Sequence, residues 1–209
     1  MKFLFLLVPL ISLLASCVPI LPADQAAYTP AASTTSPVGV AVVDHRSYVL
    51  DGDKNEKYVG RARGAYGIPV SVPDPQMTFA ERIAGYMEAG LQQKGAKVVK
   101  KTAPIGLSSS EVARSFQGTG ANKVLVLRMN DLWCDFPTLP WSKTAEVHYD
   151  ITADVLTPDG RLAGSARRTR TFNVQIVDMN DSLYNHFLKA LPPEFKALLA
   201  NPSVRNGLR

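Results

Sequence analysis

Residues 144–155 read TAEVHYDITADV, and this stretch alternates strictly between apolar and polar side chains. The apolar set occupies every second position: Ala145, Val147, Tyr149, Ile151, Ala153 and Val155. Because successive side chains of a strand point to opposite faces of a sheet, the pattern predicts a strand with one buried face. Residues 157–160, TPDG, predict a turn, since proline presets φ and glycine accepts a positive φ. A return strand over about residues 161–177 would complete a long antiparallel hairpin.

The return strand carries four arginines, at positions 161, 167, 168 and 170. They could attract anionic lipid headgroups or an acidic partner, which makes Arg167, Arg168 and Arg170 candidate partner-binding residues. They could also pair across the hairpin with Glu146, Asp150 and Asp154, and we favour this interpretation. A two-residue loop at Pro158-Asp159 would place Asp150 opposite Arg167.

The sequence before the hairpin indicates alternating strands and helices. Residues 38–43, VGVAVV, and 123–128, KVLVLR, are short apolar runs of the kind that form buried strands. Two capping boxes lie between them, Thr78-x-x-Glu81 and Ser108-x-x-Glu111, and each predicts the start of a helix. The first helix has an apolar residue at every fourth position: Phe79, Ile83, Met87 and Leu91. This order favours parallel strands with helices over both faces of the sheet.

Shorter segments complete the predicted domain. Residues 58–60 predict a second strand, and the glycine-rich residues 60–67 predict a hairpin tip, because their spacing fits no phosphate-binding loop. A last helix begins near Asp181 and is broken at Pro192-Pro193. We therefore expect an α/β fold: a single mixed-sheet sandwich domain over residues 38–209 with two to three helices.

The N-terminus predicts export. Residues 1–17 read MKFLFLLVPLISLLASC, in which Lys2 precedes a mostly apolar run of twelve residues. The run is too short to span a bilayer but is typical of a signal peptide over residues 1–16. Its end, Leu14-Ala15-Ser16-Cys17, resembles the lipobox of bacterial lipoproteins. That resemblance implies cleavage before Cys17, a diacylglycerol thioether on its sulfur and an acyl chain such as palmitate on the new amine. The same resemblance implies that Val18 at the next position, where Asp would retain the protein in the inner membrane, favours the outer membrane.

Residues 17–37 predict a flexible tether between the lipid anchor and the domain. They are rich in proline, alanine, serine and threonine and show no amphipathic period. At ~3.1 Å per residue, twenty residues in polyproline II form could reach roughly 60 Å. The domain would then not need to touch the membrane.

The composition excludes several classes of protein. The 209 residues are 46% hydrophobic and 20% charged, which suits one folded domain. The net charge of +5 comes without a long Lys/Arg run, so no nucleic-acid partner is expected. The three histidines and two cysteines lack metal-ligand spacing, and no nucleotide-binding or nucleophile motif occurs. We expect no metal, no cofactor and no enzymatic activity.

Asp44 and His45 follow the first predicted strand, where open α/β sheets often place functional side chains. A catalytic pair is not favoured, because neighbours on an extended chain point to opposite faces of the sheet. We predict that Asp44 is a structural partner for a loop N–H group or for Arg46.

Residues 132–141, LWCDFPTLPW, hold both tryptophans. Their two prolines argue against a regular strand, so we predict an aromatic loop. Trp133, Phe136 and Trp141 either plug the core, which is the favoured alternative, or form a patch that binds a partner protein. Trp141 should be the more buried indole. Cys134 would be the one cysteine left after lipidation, and such an unpaired thiol is usually buried.

In their order along the chain, these features resemble the YajG-type family of uncharacterised bacterial lipoproteins. They are the lipobox, the tether, the strand ending Val42-Val43-Asp44-His45-Arg46, the segment Tyr58-Val59-Gly60-Arg61, the hairpin and the C-terminal helix. The resemblance implies an α/β sandwich similar to the TolB N-terminal and curli-secretion lipoprotein domains. It implies no enzymatic activity and therefore no catalytic residues. The segment 132–141 and Pro192-Pro193 depart from the family pattern.

Two functions follow from the sequence. The first is an accessory lipoprotein that presents its domain to an envelope protein in the periplasm. The alternative is a self-associating subunit of a secretion or transport assembly, with the aromatic segment or the basic strand as the contact.

Overall fold

A computed structural model describes residues 20–25, 28, 37–63, 68–137, 143–177 and 181–209. The strands in these ranges are β1 Val38–Asp44, β2 Tyr58–Arg63, β3 Pro69–Pro73, β4 Val98–Lys100, β5 Lys123–Phe136, β6 Thr144–Leu156 and β7 Leu162–Gln175. The helices are α1 Ser47–Leu50, α2 Phe79–Gln93, α3 Ser109–Arg114, α4 Leu183–Ala190, α5 Pro192–Leu199 and α6 Pro202–Gly207. The strands form one mixed sheet, which confirms the predicted α/β class.

Strand β5 lies at the centre of the sheet and pairs with three other strands, β1, β2 and β6. One of its edges pairs in parallel first with β1, from Lys123 to Met129, and then with β2, from Cys134 to Phe136. The other edge pairs with β6 in antiparallel orientation. β4 extends the sheet beyond β1, β3 beyond β2, and β7 beyond β6. β1 and β2 therefore lie one after the other along the same edge of β5.

Local sequence signals set the helix boundaries. At the start of α2, the Thr78 hydroxyl accepts a hydrogen bond from the Glu81 N–H, and the Glu81 carboxylate accepts one from the Thr78 N–H. The same reciprocal pair of bonds opens α3 at Ser108. Pro192 ends α4 and begins α5, as the two prolines predict. The predicted helices are present as α2, α3 and α4, and α1, α5 and α6 bring the described helices to six, more than the two to three predicted.

The sheet has two differently covered sides. On the helical side, α2, α4, α5 and α6 pack on a large core that includes the predicted apolar residues of β6. On the opposite side, which we call the outer side, α3 covers a second and smaller core around Phe116. This smaller core reaches only the β1 end of the sheet, where it buries Ala41, Val43, Val124, Val126 and Leu156.

A β-bulge in β5 corrects the prediction of an aromatic loop from residue 132. The register shifts between Met129, which pairs with Ile151, and Asp131, which pairs with Asp150. Before the bulge the odd-numbered side chains of β5 face the helical side, and after it the even-numbered ones do. Leu132–Phe136 are therefore regular strand, and Trp133 faces outward. The remainder of the predicted loop, residues 138–142 with Trp141, lies outside the described residues.

The hairpin of β6 and β7 forms in a different register from the predicted one. Thr152 pairs with Arg167, and Asp150 pairs with Thr169. The turn is longer than two residues, because the Thr157 N–H donates to the Arg161 carbonyl and Gly160 adopts a φ of 92°. Arg167 still reaches Asp150 diagonally, with its Nε 2.8 Å from Oδ1. The predicted ion pair is confirmed, and the predicted register is wrong by two residues.

An N-terminal arm, residues 20–25 and 28, packs on the helical side of the domain. Leu21 is 6% exposed and Tyr28 is fully buried. The Tyr28 ring stacks on Phe195 with 4.1 Å between centroids, and the backbone N–H of Tyr28 donates to the Tyr86 carbonyl. These residues lie within the predicted tether 17–37, and they belong to the folded domain.

A buried ion pair joins β1, β2 and β5. Asp44 and Arg46 are 1% and 0% exposed, and the Arg46 Nε and Nη2 lie 2.9 and 2.6 Å from the two carboxylate oxygens. Nη1 also donates to the carbonyls of Tyr58 in β2 and Leu132 in β5. Burial alone would lower the pKa of Arg46, but the hydrogen bond and charge of Asp44 raise it. This confirms the predicted structural role of Asp44.

Replacing Arg46 with methionine should strongly destabilise the domain. The change leaves the Asp44 carboxylate buried without its counterion, and breaking such a pair costs about 3–5 kcal/mol. Arg167→Met is the matched control, because the exposed Arg167–Asp150 pair is worth about 0–1 kcal/mol. Urea denaturation of both variants measures the difference, and equal stability of the two would contradict this role for Arg46.

Candidate functional site

The part of the outer side that α3 does not cover is the candidate site, and we call it the open face. It is built from the later half of β5, the first half of β6, the last half of β7 and the adjacent β2. Its side chains are mainly polar and aromatic: Arg61, Asp131, Trp133, Asp135, Glu146, His148, Asp150, Thr169 and Thr171. The β7 positions are exposed, and the β5 positions are half-buried.

Trp133 lies at the centre of the open face between His148 and Arg61, and we call these two side chains the clamp. Its ring lies parallel to that of His148, with 4.1 Å between centroids and 5° between planes. The Arg61 guanidinium carbon lies 5.0 Å from the Trp133 ring centroid, in the range of a cation–π contact. His148 comes from β6 and Arg61 from β2, so the indole stands between side chains from both neighbouring strands.

Carboxylates hold both members of the clamp in place. The Arg61 Nη2 lies 2.8 Å from Asp135 Oδ2, and the His148 Nε2 lies 2.9 Å from Glu146 Oε1. The hydrogen bond that Arg61 donates to Asp135 raises the pKa of Arg61, so the guanidinium stays charged. A side chain fixed in this way loses little rotamer entropy when a partner binds it.

A groove of about 390 Å³ lies beside Trp133, above the place where β1 ends and β2 begins. Its lining is Ser47, Tyr48, Lys54, Tyr58, Arg61, Asn130, Asp131 and Trp133. The Tyr48 hydroxyl donates to Asp131 Oδ1 at 3.2 Å. Burial raises the pKa of Asp131, against the opposing hydrogen bonds from Tyr48 and Trp133. The groove therefore offers aromatic surface, two cations and one half-buried carboxyl group to a ligand.

The structure separates the predicted partner-binding residues. Phe136 is 2% exposed and meets Phe187 edge to face, so it is a core residue, as the favoured alternative predicted, and the partner-binding alternative is wrong for this residue. Arg168 and Arg170 face the helical side and both bind Glu194 of α5, at 2.6 and 3.0 Å. Trp133 and Arg167 remain on the open face, whereas Cys17 and Trp141 lie outside the described residues.

The other candidates for chemistry have structural roles. Cys134 is fully buried, and burial raises the pKa of its thiol far above the usual range, which suppresses its reactivity. His45 Nε2 lies 2.8 Å from the Leu107 carbonyl, so it does not share a proton with Asp44. Among the residues that the structure describes, no group of three or more His, Cys, Asp or Glu side chains could hold a metal ion.

Sequence reasoning missed the partners of Trp133. His148 occupies a polar position in the alternation of β6, and in the structure its ring stacks on the indole. Arg61 falls in a segment predicted as a hairpin tip, and its place beside Trp133 depends on β2 pairing with β5. The alternation of β6 signals only that His148 faces outward, and no local signal shows what it meets.

A scan against protein-family models finds no match, and a search of the curated proteins finds none. A search of the solved structures finds similar chains. Protein XCC0632 from Xanthomonas campestris, described by the family model DUF330, is 11% identical, with a TM-score of 0.50 over 86% of this chain and 91% of that one. A PelC dodecamer from Paraburkholderia phytofirmans is 15% identical, with a TM-score of 0.32 over 88% and 94%. Lipoprotein GNA1162 from Neisseria meningitidis is 11% identical, with a TM-score of 0.29 over 76% and 96%.

The likeness to the Xanthomonas protein shows the fold class: a mixed α/β domain with a curled sheet and few helices. The other two structures have TM-scores of 0.32 and 0.29, which are too low to support a conclusion about the fold. At 11% identity the shared fold says nothing about the function of this chain.

Truncating Phe136 and Trp133 to alanine should show, by the loss of unfolding free energy, which side chain lies in the core and which on the surface. We expect Phe136→Ala to lose about 3–5 kcal/mol of unfolding free energy, as for other buried aromatics. Trp133→Ala should lose less than about 2 kcal/mol, because it removes a half-buried ring and weak stacking contacts. Denaturant titration of both variants measures the difference, and a larger loss for Trp133→Ala would place the indole in the core instead.

Proposed function

We propose that this chain is a non-enzymatic bacterial lipoprotein of the YajG type. Lipid on Cys17 anchors it to the outer membrane, and its α/β domain faces the periplasm, where the open face binds an envelope protein. The observation that carries the proposal is the lipobox string Leu14-Ala15-Ser16-Cys17 after a short apolar run. A single acyl chain binds a membrane only reversibly, so two or three chains on Cys17 are needed for stable anchoring.

None of the helices in the described part of the chain is long and apolar enough to cross a bilayer.

The open face supports a role in binding a protein partner. It presents a tryptophan held rigidly between two side chains, and tryptophan and arginine are the residues that most often dominate binding energy at interfaces. The carboxylates of Asp135 and Glu146 bind the two side chains that flank the indole. A polar rim around an aromatic centre is the usual composition of a non-obligate interface.

Cys17→Ser should abolish lipidation and leave the unprocessed precursor. The serine hydroxyl cannot form the thioether, so the variant should no longer fractionate with the outer membrane. Membrane fractionation and intact-mass measurement in the producing cell test this. Maturation to the same mass, with the variant still in the outer-membrane fraction, would overturn the proposal.

Trp133→Ala should remove the partner from crosslinks formed in whole cells, because it deletes the central aromatic of the open face. Gln92→Ala is the control, since Gln92 is exposed and lies in α2, on the helical side of the sheet. The proposal requires the partner band to persist in the control and to disappear in the Trp133 variant at equal protein level. A crosslinked product made of two copies of this chain would instead support the self-associating alternative.

A further inference from the structure

The N-terminal arm is fixed to the domain only a few residues after Cys17. The Leu21 N–H donates to Asn185 Oδ1 in α4, and the Leu21 carbonyl accepts from the Tyr86 hydroxyl of α2, each at 2.9 Å. Leu21 itself is 6% exposed. Two buried hydrogen bonds and a buried side chain therefore hold this point of the chain against two helices.

Contacts further along the arm strengthen this attachment. Gln93 Nε2 at the end of α2 donates to the Asp24 carbonyl at 3.1 Å. The Tyr28 backbone lies so close to α2 that a Cβ atom on Gly90 would come within 2.1 Å of the Tyr28 carbonyl oxygen. The arm thus follows α2 along its length, and the domain cannot move away from Leu21 without breaking these contacts.

The remaining span to the anchor is short. Three residue steps separate Cys17 from Ile20, and a fully extended chain covers at most ~11 Å over three residues. The polar headgroup layer on each side of a bilayer is roughly 5–8 Å thick. A cysteine whose acyl chains lie in the hydrocarbon core sits at the inner boundary of that layer, so Ile20 is within a few ångströms of its outer surface.

We propose that the anchor holds the helical side of the domain directly against the headgroups of the bilayer. This inference rests on the proposed lipidation of Cys17. It replaces the expectation of a long tether, and it directs the open face, on the opposite side of the sheet, away from the membrane and toward a partner.

The surface next to the arm indicates how the bilayer contact is made. A groove of about 440 Å³ runs between the arm and the N-terminal half of α2, and its lining includes Ile20, Gln76, Met77, Gly85 and Lys100. Two cations line it, Arg82 and Lys100, and both are paired with carboxylates: Arg82 with Asp74 at 2.8 Å and Lys100 with Glu88 at 2.5 Å. Because the charges of these two lining residues are already neutralised, the short anchor, rather than attraction to anionic lipid, holds this surface at the bilayer.

Single cysteines carrying a fluorophore can measure the orientation. Gly85→Cys places the label beside the arm, where an added Cβ meets nothing within 4 Å. Thr171→Cys is the matched control on the open face, where residue 171 is exposed. Cys134 is fully buried and stays unlabelled. The full-length lipidated protein, with its lipid verified by mass, is placed in phosphatidylethanolamine/phosphatidylglycerol vesicles that contain a headgroup nitroxide quencher.

The label at residue 85 should lose most of its fluorescence, and the label at residue 171 should keep it. A Gly/Ser insert of about 20 residues after Val18 adds a root-mean-square span of roughly 25 Å and should restore the signal at residue 85. Equal quenching at both sites, or quenching at residue 85 that survives the insert, would overturn this inference alone. Protein that carries no lipid on Cys17 would overturn the proposed anchor and this inference together.

Discussion

The arrangement of the sheet depends on the buried guanidinium of Arg46. β1 ends and β2 begins along a single edge of β5, and this junction leaves carbonyl groups of Tyr58 and Leu132 without strand partners. Arg46 donates to both while it neutralises Asp44. Burying these acceptors and a carboxylate without a donor would be very unfavourable, so the junction requires an arginine or an equivalent donor. The groove beside Trp133 lies directly above this junction. Two of its lining residues, Tyr48 in α1 and Tyr58 at the start of β2, belong to the segment that leads from β1 to β2.

Much of the fold is predictable because its signals are local. The alternation of β6, the two capping boxes and the paired prolines at 192–193 each depend on residues within one turn or one strand of each other. The bulge at Asn130 has no such local signal. It interrupts the period of two inside β5, so the apolar residues before and after it do not show the alternation of a single strand. The following proline then favours a loop. Only the continuous pairing with β6 shows that Leu132–Phe136 belong to the sheet.

The candidate site is less predictable than the fold, because it depends on register. Trp133 is recognisable in the sequence as an unusual residue, but whether it faces the core or the outside is decided by the single extra residue of the bulge. The clamp needs Arg61 and His148, which come from strands on either side of β5. The partners of Arg168 and Arg170 are unpredictable for a similar reason. Both are predicted to pair with carboxylates across the hairpin, but both bind Glu194 of a helix that comes later in the chain.

The position of β5 also determines when the domain can fold. β1 pairs with residues about 85 positions later in the chain, and pairings over such distances are slow to form. A newly made β1 therefore has only the three-residue β4 as a strand partner until β5 has been synthesised, and a signal peptide at the N-terminus would meet the export machinery before that. For the proposed exported lipoprotein, this late pairing would favour a chain that is still incompletely folded when it reaches the membrane.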